Sequence, residues 1–400
     1  MCNFKYLLAP ILCVILWGFS SCSSAPTTSG HAVFPLRIEA MKAFNLAFRA
    51  GENTDSLFAI DGWKRADAGR LVTKKFPVPT FLTPPTISIS LALQSAGDPW
   101  DKSGAVVLLP EKWSSNIARD STASPGILEN TATGFTPALE ILRFITPFGV
   151  GHFSTSERSD EYRPVYIPAW EEDITWQNDI SHLWSAMRDS ITIGVYIDTW
   201  SKEGFELDLA IEFKENAMQI PAATQYAHRS LLNTTKFHPN QNSFDGFSKA
   251  PLMIEFELPA FARNAKLNYI ATGHGGHSTG DEFVRCEHII TLDDDTVAQF
   301  TPWRDDCASF RRFNPSSGVW TERTYWRGDS IDERIASSDY SRSGWCPGSD
   351  VPAMELQLGD LEAGPHQFTI DLPSAQPYTD AEMNFWNIAA YLTWQLPEEL

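Results

Sequence analysis

Short runs in which apolar and polar residues alternate, or in which apolar residues follow one another, recur along the chain between clusters of Pro, Gly, Asn and Asp. Thr86 to Leu93, Gly104 to Leu109, Ile191 to Trp200, Phe205 to Phe213, Leu252 to Leu258, Ala265 to Thr272, His288 to Leu292 and Gln367 to Leu372 all read as strands. Helical signals are few: Ala40 to Ala50 has amphipathic spacing, and Trp184 to Asp189 fits a turn of helix. Many short strands separated by turn clusters predict an all-β chain built of sandwiches or jelly rolls, not alternating helix and strand.

A chain of 400 residues exceeds what one hydrophobic core usually organises, which predicts two domains. The polar stretch from Lys214 to Ser248 separates an early strand block from a later one and sets the boundary near residue 216, giving domains at 31–216 and 217–400. Ser114 to Thr133 and Ser154 to Asp179 are longer than ordinary connections and read as surface loops or lids.

At the N-terminus Lys5 precedes an apolar run from Tyr6 to Phe19, followed by Ser20, Ser21 and Cys22. The run is shorter than the roughly twenty residues that cross a bilayer and reads as an export signal. Small residues before a cysteine resemble a bacterial lipobox, with Cys22 as the lipidated first residue and residues up to Gly30 as a tether. The expected location is outside the cytoplasm: an outer-membrane lipoprotein, periplasmic or at the cell surface, or a secreted protein. A lipid anchor would be its attachment to a membrane. Loss of the leader removes Lys5 and takes the formal net charge from -19 to -20, which disfavours nucleic acid as a partner.

Of six cysteines, Cys2, Cys13 and Cys22 belong to the leader or lipidation site, which leaves Cys286, Cys307 and Cys346. In an oxidising compartment Cys307 is expected to pair with Cys346, closing a loop worth roughly 3 to 4 kcal/mol, with Cys286 left as a buried thiol. Fourteen Trp supply flat apolar faces, for core packing in most cases and for stacking on sugars in others.

Four segments carry candidate chemistry. Gly97 to Gly104 places Asp98, Trp100 and Asp101 on a loop between two strands, although Asp, Pro and Gly together more often make a plain turn. From Ile191 to Trp200 the alternation puts Ile191, Ile193, Val195 and Ile197 on one face and Tyr196, Asp198 and Trp200 on the other, a carboxylate between two aromatics. Ala271 to His288 gathers His274, His277, Asp281, Glu282, Arg285 and His288 among glycines; a metal can be drawn here, but the spacing is no zinc-protease motif, and glycines for close backbone approach explain it better. Asp339 to Pro352 is a turn-rich segment in which a disulfide at Cys346 would hold Arg342 and Trp345 rigid.

Together, DPWD at Asp98 to Asp101, RFITPFGVG at Arg143 to Gly151, YIDTW at Tyr196 to Trp200, GDEF followed by His288, and RSGWCPGSDVP at Arg342 to Pro352 resemble the peptide-N-glycosidase F family in order and approximate spacing. The resemblance implies two adjacent eight-stranded jelly rolls with the active site in the cleft between them, no metal or other cofactor, and a monomer. It implies an amidohydrolase that releases N-linked glycans from asparagine of glycoproteins or glycopeptides, converting Asn to Asp. Asp101 matches the family's principal catalytic aspartate, Glu282 the catalytic glutamate of the second domain, and Arg342 the active-site arginine. Trp100 and Trp200 match tryptophans beside acidic site residues; with Arg342, His274 and Asp98 they are expected to bind substrate, and Asp198 is expected to join Asp101 and Glu282 in catalysis.

Four departures bear on glycan specificity more than on reaction class. Asp198, the third acidic position, replaces Glu and reaches less far, and a misplacement of about 1 Å can cost on the order of a hundredfold in rate. His274 stands where the family has a site tryptophan, and Lys102 replaces an arginine. Two of the family's three disulfides have no counterpart. Clustering of Asp101, Asp198 and Glu282 is expected to raise at least one carboxylate pKa. Two rivals remain: a carbohydrate-binding surface protein of the same fold with little or no catalysis, and a metal-dependent protein using His274 and His277, supported by fold analogy alone.

Overall fold

A computed structural model describes residues 36–49, 62–81, 83–111, 128, 136–149, 170–215, 226–235, 245–276, 279–315 and 319–396. The expected leader with Cys22, all of residues 114–133 except 128, His277 and the expected boundary near residue 216 lie outside the described residues.

The strands are antiparallel and form two sandwiches. In the first, one sheet has the order β1 (Leu36–Leu46), β9 (Phe205–Lys214), β4 (Thr86–Ser95), β7 (Asp173–Asp179). It faces a sheet ordered β2 (Lys64–Ala66), β3 (Leu71–Pro77), β8 (Ser190–Ile197), β5 (Ser103–Leu109), β6 (Leu139–Ile145). The second sandwich has β10 (Tyr226–Asn233), β19 (Phe385–Gln395), β12 (Ala262–His274), β17 (Met354–Leu361) in one sheet and β11 (Leu252–Leu258), β18 (Gly364–Asp371), β13 (His288–Leu292), β14 (Asp295–Phe300) in the other. With β2 set aside as an added edge strand, both sandwiches put their first, eighth, third and sixth strands in one sheet and their second, seventh, fourth and fifth in the other. That is a jelly roll made twice. A separate hairpin, β15 (Val319–Trp326) and β16 (Asp329–Ala336), sits between β14 and β17.

The eight expected strands all form, because residues of one parity face the space between sheets. In β4, Ile87, Ile89, Leu91 and Leu93 are buried and meet Ile191, Ile193, Val195 and Ile197 of β8 in the first core. The second core is built from Leu267, Ile290, Phe368, Ile388 and Leu392. The other parity of β8 is not solvated: Tyr196 is buried with Leu71, Ala105 and Val107 in a small outer cluster.

Two expectations fail for identifiable reasons. The amphipathic segment at Ala40 is strand β1, whose register slips between Glu39 and Met41 and again between Met41 and Phe44, with Ala43 at φ 45°. With these bulges Ala40, Met41, Phe44 and Leu46 are buried in the strand and Ala47 just after it, and the 40, 41, 44, 47 subset imitates the spacing of a helix. The polar segment ending at Asp179 closes in strand β7, where Ile174 and Trp176 alternate inward between exposed polar residues. The expected helical turn near Trp184 forms as a 3-10 turn over Ser181–Ala186.

The disulfide joins Cys307 to Cys346 with Cα atoms 5.1 Å apart, and Cys286 is a buried free thiol. Its sequence separation of 39 corresponds to about 4 kcal/mol of loop-closure entropy. The expected result of Cys346→Ser is a stability loss of that order in urea unfolding, with the same shift on adding reductant to the parent.

The two jelly rolls are sewn together along β6. Its outer edge pairs with residues 348–351 of the later segment: Ile145 N–H donates to Ser349 O (2.8 Å), Gly348 N–H to Ile145 O (3.1 Å) and Val351 N–H to Arg143 O (2.9 Å). Arg143 lies buried in this seam, doubly bonded to Glu140 (2.6 and 2.7 Å), and donates to Asn387 O at 2.5 Å. A buried ion pair is tolerable only when its remaining donors find partners, as they do here.

Candidate active site

One end of the five-stranded sheet collects the chain reversals around Arg70, Asp198, Asp101 and Thr146, which lie side by side because β3, β8, β5 and β6 are neighbours. Ile197 N–H donates to Arg70 O (3.1 Å), Asp198 N–H to Ser103 O (2.9 Å) and Thr146 N–H to Lys102 O (2.9 Å). The buried Thr146 hydroxyl accepts from Lys102 N–H (2.8 Å) and donates to Trp100 O (3.2 Å), so both peptides flanking Asp101 are pinned to one side chain. Asp98 is buried as well: its oxygens accept from Trp100 N–H (3.0 Å) and the Thr199 hydroxyl (2.6 Å), bracing the Asp101 loop against the segment after β8.

From the second jelly roll, Arg342 approaches this row. Its guanidinium donates from Nε to Glu282 Oε1 (2.9 Å) and from Nη1 to Ser337 O (2.6 Å) and Tyr340 O (2.9 Å), while Nη2 stands 3.8 Å from Asp101 Oδ2. The cation lies over Phe283 (5.0 Å) and Trp345 (4.9 Å), and its backbone pairs with Arg304 in both directions. Only 2% of the Arg342 side chain is exposed, against 16% for Asp101 and 18% for Glu282, so a ligand meets the carboxylates before it meets the cation.

Two carboxylates therefore share one buried cation. Burial pushes the Asp101 carboxyl above its ordinary range, opposed by Arg342 and Lys102. Burial also pushes Glu282 up to about 7, with the Asp101 charge adding to the rise and Arg342 opposing it. Near neutrality the pair can hold one proton between an acid and a base, the condition that general acid-base chemistry needs.

The family model for peptide-N-glycosidase F, N terminal, matches residues 37–213, and the model for its C terminal matches residues 242–393. The chain belongs to the peptide-N-glycosidase F family. Its structure is similar to that of PNGF-II in a P21 crystal form, at 28% identity and TM-score 0.75 over 90% of this chain and 65% of that one. It thus spans about two thirds of PNGF-II's length. Peptide-N(4)-(N-acetyl-beta-D-glucosaminyl)asparagine amidase at 2.2 Å resolution aligns at 18% identity and TM-score 0.59, covering 91% of this chain and 97% of that one. PNGase F, a glycosylasparaginase from Flavobacterium meningosepticum, aligns at 18% identity and TM-score 0.58, covering 90% and 96%. Those last two likenesses speak to fold. No curated protein matches the sequence.

In this peptide-N-glycosidase F family member the residues expected from the sequence fall into two groups. Asp101, Glu282 and Arg342 come together, with Trp100 beside them, edge-on to Phe148 at 6.5 Å. Asp198 does not join the pair through Arg342; its charge is taken by Arg70 at 3.0 Å, and Trp200 lies over the same guanidinium at 4.4 Å. Asp98 was expected to touch substrate, but both its oxygens are engaged inside the protein, where it positions its neighbours. His274 was expected there too. It is buried instead, stacked between Trp345 (5.4 Å) and Phe385 (5.0 Å), its Nε2 at 2.8 Å from the Thr272 hydroxyl, and burial holds its pKa down to about 3. A neutral ring bonded to a hydroxyl is one aromatic removed from Arg342. Among the described residues no group of three or more His, Cys, Asp and Glu is spaced to hold a metal.

Sequence reasoning missed Thr146 and Arg70. Thr146 stands out in the sequence only as a member of RFITPFGVG, since nothing in a lone threonine marks a brace. Thr146→Val keeps the shape and removes both hydroxyl bonds, so an expected stability loss of about 1–3 kcal/mol accompanies a loosened Asp101 and lower kcat. Denaturation and turnover of the same sample check both.

Proposed function

We propose that the chain is an amidohydrolase that cleaves the bond between an asparagine side chain and an N-linked glycan, leaving Asp in the peptide. One observation carries the reading: buried Arg342 of the second jelly roll is ion-paired with Glu282 and faces Asp101 of the first, on a chain of the peptide-N-glycosidase F family. Water adds to the amide carbonyl carbon, the carbon–nitrogen bond breaks, and the nitrogen leaves as a glycosylamine after accepting a proton. Asp101 is the principal catalytic carboxylate, Glu282 holds the water and exchanges its proton, and Arg342 offsets the negative charge that builds on oxygen. Export with lipidation at Cys22 and action as a monomer on glycoproteins or glycopeptides belong to the same proposal; the mass of the mature N-terminus checks the first.

The pH dependence has a definite sign. With Glu282 titrating at about 7, its carboxylate is protonated below that value and cannot take the proton of the water it holds. The expected kcat/KM rises with pH through about 7 and then levels, and Glu282→Gln removes this inflection along with most of the rate.

The reading is tested by mass spectrometry of a defined N-glycopeptide incubated with leader-free protein in chelator. Release of the glycan with conversion of Asn to Asp supports it. Binding without release transfers the weight to a carbohydrate-binding protein, and activity that depends on added metal overturns the assignment of Asp101 and Glu282.

A further inference from the structure

We propose that Arg70 is a positioning residue that fixes Asp198 and Trp200 as a sugar-recognition platform beside the hydrolytic residues; the amidase reading supplies the sugar's identity as part of an N-glycan.

The guanidinium is divided three ways. Nη2 donates to Asp67 Oδ1 (2.7 Å), Nε to Asp67 O (3.3 Å) and Nη1 to Asp198 Oδ1 (3.0 Å), while its central carbon lies 4.4 Å from the centre of the Trp200 ring and 5.6 Å from that of Phe48. Arg70 is buried and so is Asp67, yet 37% of the Asp198 side chain and 56% of Trp200 remain exposed. An arginine needed only for the fold would finish its bonds on buried partners. This one holds two groups that face solvent.

The turn that delivers Arg70 is unusual. Asp67, Ala68 and Gly69 follow one another at φ 49°, 50° and 88°, and a Cβ on Gly69 would stand 2.6 Å from Ala47 O. Left-handed backbone at two non-glycine residues costs on the order of 1–3 kcal/mol each and persists only where the surroundings enforce it. Here Arg49 N–H to Ala68 O (2.7 Å) and Arg70 N–H to Asp67 O (3.0 Å) close the turn. The strain places a guanidinium at the same sheet end as Asp101, one strand beyond Asp198.

The chemistry matches a pyranose. An indole held against a cation and more than half exposed presents an apolar surface for a sugar's C–H face, and a carboxylate whose charge is balanced from within can still accept from a hydroxyl or acetamido N–H at its rim. The carboxylate of Asp198 is bonded to Arg70, whereas Asp101 and Glu282 share Arg342, so Asp198 is assigned to recognition and not to proton transfer.

The test uses Arg70→Lys, which keeps the charge and loses the fork, Asp198→Asn, and the double variant, each assayed for turnover of a defined N-glycopeptide and for its binding in the Asp101→Asn background. The expected result for Arg70→Lys is a KM about tenfold higher with kcat within about threefold, an equal loss of binding, and a double variant little worse than either single. Unchanged KM in a folded Arg70→Lys protein, a fall confined to kcat, or fully additive losses would overturn the proposal. If Arg70→Lys does not fold, Asp198→Asn alone decides: its side chain sits at the surface, and an unchanged KM removes the platform. If the parent releases no glycan, the amidase reading fails by itself, and binding of the same glycopeptide by parent and variants still judges the platform.

Discussion

Asp101→Asn is expected to reduce glycan release by about a thousandfold or more, the upper range of what one acid-base group contributes, while leaving the protein folded. The side chains are nearly isosteric, and the loop is held through Trp100 O and Lys102 N–H, neither of which the substitution touches. Removing a buried charge that faces Glu282 also relieves repulsion, so the melting temperature should stay level or rise, and Glu282 should titrate lower than about 7. Single-turnover mass spectrometry against a melting curve separates the two effects. A variant within tenfold of the parent would move the principal role to another group, Glu282 first.

Arg342→Met is the second large effect, and it damages fold and function together. Asp101 and Glu282 would face each other across a buried space without a cation, and the carbonyls of Ser337 and Tyr340 would lose their donors. Breaking a buried pair from one side typically costs about 3–5 kcal/mol, and loss of a charge-stabilising donor costs about a hundred- to a thousandfold in rate. Arg342→Lys should recover part of the stability and little of the rate, because one ammonium cannot reach Glu282 and two carbonyls in a planar fork while lying over Phe283 and Trp345. In Arg342→Met the carboxylates should titrate at higher pH than in the parent, moving the rise in kcat/KM upward. Identical melting and pH profiles would refute the shared-cation description of the site.

What could be read from the sequence follows the physics of each element. Period-two strands such as β4, β8 and β11 were legible because one face of each meets the core. Strand β19 shows no strand signal in the sequence, since its residues Trp386 to Trp394 are all buried, which erases alternation. Strand β1 read as helix because two bulges change which residues point inward. Asp101, Glu282 and Arg342 were legible only as members of motifs, since Asp, Pro and Gly in a row look like any turn. Asp198 lay on the expected strand pattern, but β8 ends at Ile197, and the next three residues take their directions from Asp98, Arg70 and Ser103. Arg70 gave no signal, because an arginine is far more often solvated than buried. His274 misled for the opposite reason: a histidine among glycines suggests an exposed ligand, and here two aromatic rings enclose it.

The seam along β6 has a mechanical meaning. Each carboxylate is mounted on a different sandwich, so the gap between them is a dimension set by an assembly joint and not by either core. Three consecutive backbone bonds and a buried guanidinium make that joint stiff, and the paired edge is no longer open to a neighbouring molecule. Heat should therefore not release one sandwich while the other keeps working: calorimetry should show both melting as one cooperative event, with catalytic alignment lost in the same few degrees.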